Sequence, residues 1–294
     1  MDRNTLLAFF LISLVLIFTP KYIELISGEN ETEERSLPNN ETGTDTLKTI
    51  KNSQFEDLDY FPSNDIVVKN ENPEVEFITV IENNFFKTEL TSKNGGSFKS
   101  FYLKGYFDKD SQHVNLINNK TQTLRSDLKT FNGDILDLSS SWNLQDNLVP
   151  EIIEDSLKLV YTKKLLNRYP ISKSLTFYSD SYRILCELDL RMVPRDLIEN
   201  NLTTSWLGGL KPTEQNIDDD QLYFQVYSLL GGEKETFKVK ENKPESFTYN
   251  GALEWGAIRT KYFTLAFLPK DPNSIRKTIV SGLKQDSSEV YNLS

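Results

Sequence analysis

The sequence predicts a mainly β chain, a large antiparallel sandwich set behind one N-terminal membrane-spanning helix and a disordered acidic tether. Three observations predict it. Residues 6–18 form an uncharged apolar run, residues 28–76 carry almost all the excess charge, and from Glu76 onward apolar residues recur with a period of two. The expected units are an anchor over residues 1–27, a linker over 28–75 and a β domain over 76–294.

Composition removes several classes of function. In 294 residues, 38% hydrophobic and 26% charged, there is enough apolar material for a folded core. The 33 basic side chains against 43 acidic ones give a net charge of -10, which argues against a phosphate-binding surface and so against nucleic acid as a partner. One cysteine, Cys186, permits no internal disulfide, and with the single histidine, His113, it cannot build a common Cys/His zinc site. No catalytic residue, cofactor site or metal site is predicted.

The anchor is Leu6, Leu7, Phe9, Phe10, Leu11, Ile12, Leu14, Val15, Leu16, Ile17 and Phe18, interrupted only by Ala8 and Ser13. At about 1.5 Å per residue this strict run covers about 20 Å, short of the roughly 30 Å of hydrocarbon. Thr5 and Thr19 are tolerable near the interface, Arg3 and Lys21 can snorkel, and Tyr22 can rest among headgroups, so a single span becomes feasible. Cleavage is disfavoured because the nearest small-residue site, Leu25-Ile26-Ser27, places leucine at -3. The lipoprotein-like outline Leu25-Ile26-Ser27-Gly28 is followed by Glu29, not the cysteine that lipidation needs. A cleaved signal and a buried helix are the weaker readings. Arg3 on one side and an acidic tract on the other put the bulk of the chain outside the cytoplasm.

From Gly28 to Glu76 thirteen acids face only Arg35, Lys48, Lys51 and Lys69, which accounts for nine of the ten excess negatives. With few apolar residues this stretch cannot offset its ordering entropy. Five Asn-X-Ser/Thr sequons, at Asn30, Asn40, Asn119, Asn201 and Asn292, are expected by chance in so Asn-rich a chain.

In the β region the clearest strand is Arg183 to Val193, with Ile184, Cys186, Leu188, Leu190 and Met192 facing one way. Cys186 is thereby expected in the core. Further strands are expected over Phe77–Ile81, Phe85–Thr91, Ser97–Tyr102, Leu157–Lys163, Ile171–Tyr178, Gln221–Tyr227, Phe237–Val239, Ser246–Tyr249 and Lys261–Leu268. Asn94-Gly95-Gly96 reads as a hairpin turn needing positive φ, and Gly208-Gly209 and Gly231-Gly232 as turns or bulges, since none has the surroundings of a phosphate loop. Ser274 is expected to cap a short helix through Lys277.

Each candidate constellation has a bland reading that outweighs the sharp one. Asp218-Asp219-Asp220 lacks a calcium loop's alternating ligands and is expected to be solvated. His113 is expected at or near the surface, without partners for catalysis. Trp142, Trp206 and Trp255 are expected in the core more than on a sugar-binding platform.

Several segments, taken in order, resemble a known family. The opening Met1-Asp2-Arg3-Asn4-Thr5-Leu6-Leu7-Ala8-Phe9 is one. Others are Asn94-Gly95-Gly96 leading to Leu103-Lys104-Gly105-Tyr106, Lys173-Ser174-Leu175-Thr176-Phe177 with Asp180-Ser181-Tyr182, and Trp255-Gly256-Ala257-Ile258 leading to Lys261-Tyr262-Phe263 and Ala266-Phe267-Leu268-Pro269. The chain is similar in these to the YidC/Oxa/Alb family of bacterial membrane protein insertases. The resemblance implies a periplasmic β-supersandwich behind an inner-membrane anchor, and insertion and chaperoning of nascent membrane proteins in the lipid bilayer, alone or beside Sec translocon components. It implies no enzyme activity. The family's client-receiving groove lies in later transmembrane helices, so this chain is expected to be a fragment that lacks the insertase core. The alternatives are an anchored carbohydrate-binding or mutarotase-like supersandwich and an anchored interaction module.

Overall fold

A computed structural model describes residues 67–68, 75–108, 110–118, 123–145, 153–240, 243–285 and 288–294. The anchor residues Leu6 to Phe18 and most of the acidic segment lie outside the described residues. The first strands are β1 (Val67–Val68), β2 (Ile78–Glu82), β3 (Phe86–Thr91), β4 (Ser97–Phe107), β5 (His113–Asn115), β6 (Leu124–Thr130) and β7 (Ile135–Asp137). Then come β8 (Asn143–Leu144), β9 (Ser156–Leu165), β10 (Tyr169–Tyr178), β11 (Ile184–Asp189) and β12 (Ile198–Trp206). After one short helix, α1 (Ile217–Gln221), follow β13 (Gln225–Leu230), β14 (Glu233–Phe237), β15 (Glu245–Asn250) and β16 (Leu253–Arg259). The last are β17 (Thr264–Phe267), β18 (Lys277–Gln285) and β19 (Ser288–Leu293).

These strands make four sheets. Three have four strands, in the orders β2-β3-β4-β5, β11-β10-β9-β8 and β14-β13-β16-β17, and one has seven, β1-β7-β6-β12-β19-β18-β15. Every ladder is antiparallel except β1 on β7, where two residues of the segment read as tether pair in parallel with Ile135 and Leu136. The prediction of a mainly β, antiparallel fold therefore holds for the described residues.

Alternation explains the packing. In β10, Ile171, Lys173, Leu175 and Phe177 point inward and are buried, while Ser172 and Thr176 between them are only half-buried. Phe86 of β3 meets Phe177 with ring centroids 6.4 Å apart, joining the first two sheets. Trp206 of β12 touches Phe98 of β4 at 5.7 Å and Phe267 of β17 at 6.3 Å, so the large sheet packs against two of the small ones. A single apolar core runs through all of these contacts.

Several expectations are corrected. The strand expected over Arg183–Val193 spans only Ile184–Asp189, and Met192 is exposed in the turn beyond it. Cys186 faces the same side as Leu175, as the period required, but it is exposed because β11 is the sheet edge and overhangs the core. Gln221 lies in α1, not in a strand, since Asn216 caps that helix by accepting from the Asp219 N–H. Near Ser274 the cap is Asp271, which starts a single 3-10 turn over Pro272–Ser274; Ile275 is already extended and Lys277 opens β18.

Asn83 ties two hairpins together. Its buried side chain accepts from the Phe85 and Phe86 N–H groups at 2.9 and 2.8 Å, and donates to the carbonyls of Tyr178 and Ser181 at 2.7 and 3.0 Å. All four bonds are lost in Asn83→Ala, leaving buried backbone groups without partners. We expect a loss of about 2–3 kcal/mol in stability, read from the denaturant midpoint.

Candidate functional site

The Asn94-Gly95-Gly96 turn is a close approach of backbone to core. Its φ values are 55°, 66° and 95°, as a turn between β3 and β4 demands. A Cβ on Gly95 would lie 3.0 Å from the Trp142 ring, and one on Gly96 would lie 2.7 Å from Tyr161 and 2.8 Å from Leu175. Only glycine fits. Beneath the turn the fully buried Lys173 donates from Nζ to the Asn94 carbonyl at 2.9 Å, and Trp142 Nε1 donates to the Leu138 carbonyl at 3.0 Å. Burial depresses the Lys173 ammonium below its usual range and pushes the Tyr161 phenol up to about 12. Neither group is open to a substrate.

The acidic triplet is not a solvated loop. Asp220 is completely buried and accepts from the backbone N–H groups of Thr213 at 2.9 Å and Lys261 at 3.1 Å. Asp219 pairs with the Lys261 ammonium and holds it protonated above the ordinary lysine range. The triplet thus staples α1 to the β16–β17 turn. Among the described residues no three His, Cys, Asp or Glu side chains are arranged to hold a metal.

An open cleft of about 350 Å³ is lined by Glu82, Lys87, Tyr102, Lys104, Gln112 and His113. Glu82 binds Lys104 at 2.6 Å and Lys87 at 3.6 Å, and the Lys104 hydrogen bond keeps its carboxyl below the usual range. His113 is exposed and stacked on Phe107 at 4.8 Å. With its carboxylate committed to two lysines, the cleft offers binding chemistry more readily than acid–base chemistry. Trp142 and Trp206 are buried and Trp255 is half-buried, so no indole platform forms among them.

The model of the YidC periplasmic domain matches residues 79–292. The chain belongs to the YidC periplasmic domain family. Similar proteins named membrane protein insertase YidC occur in Chlorobium luteolum (28% identical, 92% of this chain, 47% of the relative) and Chlorobium phaeovibrioides (28%, 72% and 37%). A third, from Chlorobaculum parvum, is 24% identical over 99% of this chain and 50% of its own length. The chain spans about half the length or less of these curated relatives.

Three of the segments that carry the YidC resemblance fall at structural joints of this domain; Met1 to Phe9 lies outside the described residues. Lys173 and the Gly-Gly turn are partners, Tyr182 sits in the turn bonded to Asn83, and Lys261 is the cation of the Asp219 staple. Asn83 and Asp220 went unrecognised as joints in the sequence, because an Asx turn and a buried aspartate reveal their partners only in three dimensions.

Two outcomes test these joints. Asp220→Ala removes the acceptor of three backbone bonds, from Thr213, Glu214 and Lys261, and is expected to cost about 2–4 kcal/mol on chemical denaturation. The folded state binds a proton at Lys173 less readily than the unfolded chain. The lysine therefore opposes folding at lower pH and ceases to do so as pH rises toward the unfolded value near 10.5. Relative to Lys173→Met, the unsubstituted chain should gain stability between pH 7 and 10; a difference that is flat across that range would refute the assignment.

Proposed function

We propose that this chain is the anchored, periplasmic part of a membrane protein insertase. The match to the YidC periplasmic domain over residues 79–292 carries the reading, supported by relatives that bear the insertase name. Leu6 to Phe18 span the inner membrane once, residues 28–75 form an acidic linker, and residues 76–294 form a β-supersandwich on the periplasmic side. The role is non-enzymatic and needs no cofactor. Clients are nascent membrane proteins, received in the lipid bilayer alone or beside Sec translocon components.

The physics of the task is transfer of an apolar span from water to hydrocarbon. Burial releases about 25 cal/mol per Å² of apolar surface, so a span of about 20 residues needs no nucleotide to drive it. What it needs is a protein that holds the client near the bilayer in an open state. A β domain on an acidic linker supplies a docking surface that stays within reach of the membrane.

The test uses the full chain in bacterial inner membranes. It should resist alkaline carbonate extraction, be shaved by protease added to spheroplasts, and yield photo-crosslinks from surface positions of the β domain to nascent membrane proteins. Extraction as a soluble protein, or crosslinks confined to soluble proteins, would overturn the reading.

A further inference from the structure

One end of the domain is tipped with aromatic side chains from separate turns. Phe85 lies in the β2–β3 turn, Tyr182 in the β10–β11 turn, Tyr262 and Phe263 in the β16–β17 turn, and Tyr106 and Phe107 close β4. Strand β4 runs antiparallel to β3, so its last residues lie beside the β2–β3 turn. The Asn83 side chain and the Asn84 N–H, which donates to the Ser179 carbonyl at 3.2 Å, bring the β10–β11 turn to the same place. The rings meet: Phe85 and Tyr182 are 5.0 Å apart, and Tyr106 and Phe263 are 5.4 Å apart edge to face. Yet Tyr106, Phe107 and Tyr262 are each more than half exposed.

An exposed aromatic cluster of this kind marks a contact surface. Two features identify its occupant. Tyrosine beside cations settles at the headgroup level of a bilayer, an apolar body below and a hydroxyl in water, while phenylalanine adds apolar area to the same face. The Lys261 ammonium lies 5.0 Å from the Tyr262 ring with its charge answered by Asp219, and Lys87 and Lys104 outnumber Glu82 in the cleft that Phe107 and His113 join to this end. Asp108, Asp110 and Asp180 belong to the same turns, so the local charge is mixed and the rings supply most of the attraction. The second feature is reach. Roughly 48 residues separate Phe18 from Val67, which as a random coil is on the order of 40 Å. A domain so tethered meets its own membrane at high effective concentration.

We infer that this aromatic end docks on the bilayer surface, with Tyr106, Tyr182 and Tyr262 at headgroup depth and lipid phosphates beside Lys87 and Lys104. The inference rests on the membrane-anchored reading above. It gives the domain a defined orientation, with the β9–β10 turn at the far end of β10 and about 30 Å away.

The experiment places a bimane fluorophore on the full chain in nanodiscs, in a Cys186→Ser background, at Tyr106→Cys, Tyr182→Cys, Tyr262→Cys, Leu166→Cys or Ile12→Cys. Circular dichroism melting selects labelled chains that fold as the parent does. Replacing phosphatidylcholine by its brominated form should lower emission about twofold at positions 106, 182 and 262 and leave 166 unchanged. Quenching at 12 with none at the three tip positions would overturn the docking surface while the anchor stands. No quenching at 12 would overturn the anchor, and tip quenching would then support docking by itself. Tip positions that stay unquenched by lipid but crosslink to a client would assign the surface to protein, against the inference.

Discussion

Lys173 sits in the middle of β10 with no exposed surface, and its ammonium reaches the backbone carbonyl of a turn 79 residues away in the chain. A buried cation is tolerable only where acceptors replace water. That requirement fixes the Asn94 carbonyl over β10, and the turn can come so close only because Gly95 and Gly96 carry no side chains against Trp142, Tyr161 and Leu175. Trp142 in turn is held by its own N–H donating to the Ser92 carbonyl. Two sheets and an intervening loop are thus positioned by one lysine and two glycines. An error in any of the three would either strand a charge or force the sheets apart.

How much of this was legible depends on what the period of two can carry. β9 and β10 were plain in sequence because their inward positions are apolar or, at Lys173, long enough to look amphipathic. The Gly-Gly turns were plain because positive φ has a compositional mark; Gly231 and Gly232, with φ of 57° and 84°, make the two-residue connection from β13 to β14 as expected. The strands without such a mark are β1, β5 to β8, β12, β16, β18 and β19. Their buried positions include Ser126, Asp127, Thr278 and Glu289, and β12 carries a register shift between Ile198 and Leu202. Polar residues at inward sites erase the alternation that announces a strand.

Those polar residues are buried because tertiary partners compensate them. Tyr291 shows the pattern: its hydroxyl donates to the Phe224 carbonyl or the Glu289 carboxylate and accepts from the Val239 N–H, and burial pushes its phenol well above the ordinary range. Asp220 is the same device at the opposite sign, a carboxylate answered by backbone N–H groups. Both join residues far apart in the chain. Local reading assigns such residues to solvent, which is where Asp218-Asp219-Asp220 was expected, and the error is systematic for any acid whose partner lies on another element.

The same blindness covers the surface. Period two says which face of a strand is buried, but it says nothing about turns and strand ends, where Phe85, Tyr106, Phe107, Tyr182 and Tyr262 lie. Hydrophobicity alone would place Phe85, Tyr106 and Tyr262 in a core. They stay outside because the strands that carry them end at the rim of the sheets, beyond any layer that could cover them. Keeping large rings there costs solubility, and Asn83 removes the simplest escape, which is for the Phe85 and Tyr182 turns to fold away from each other. Rings held in water by buried hydrogen bonds lose little further freedom when they meet a partner, so the ordering cost has been met during folding and not at contact.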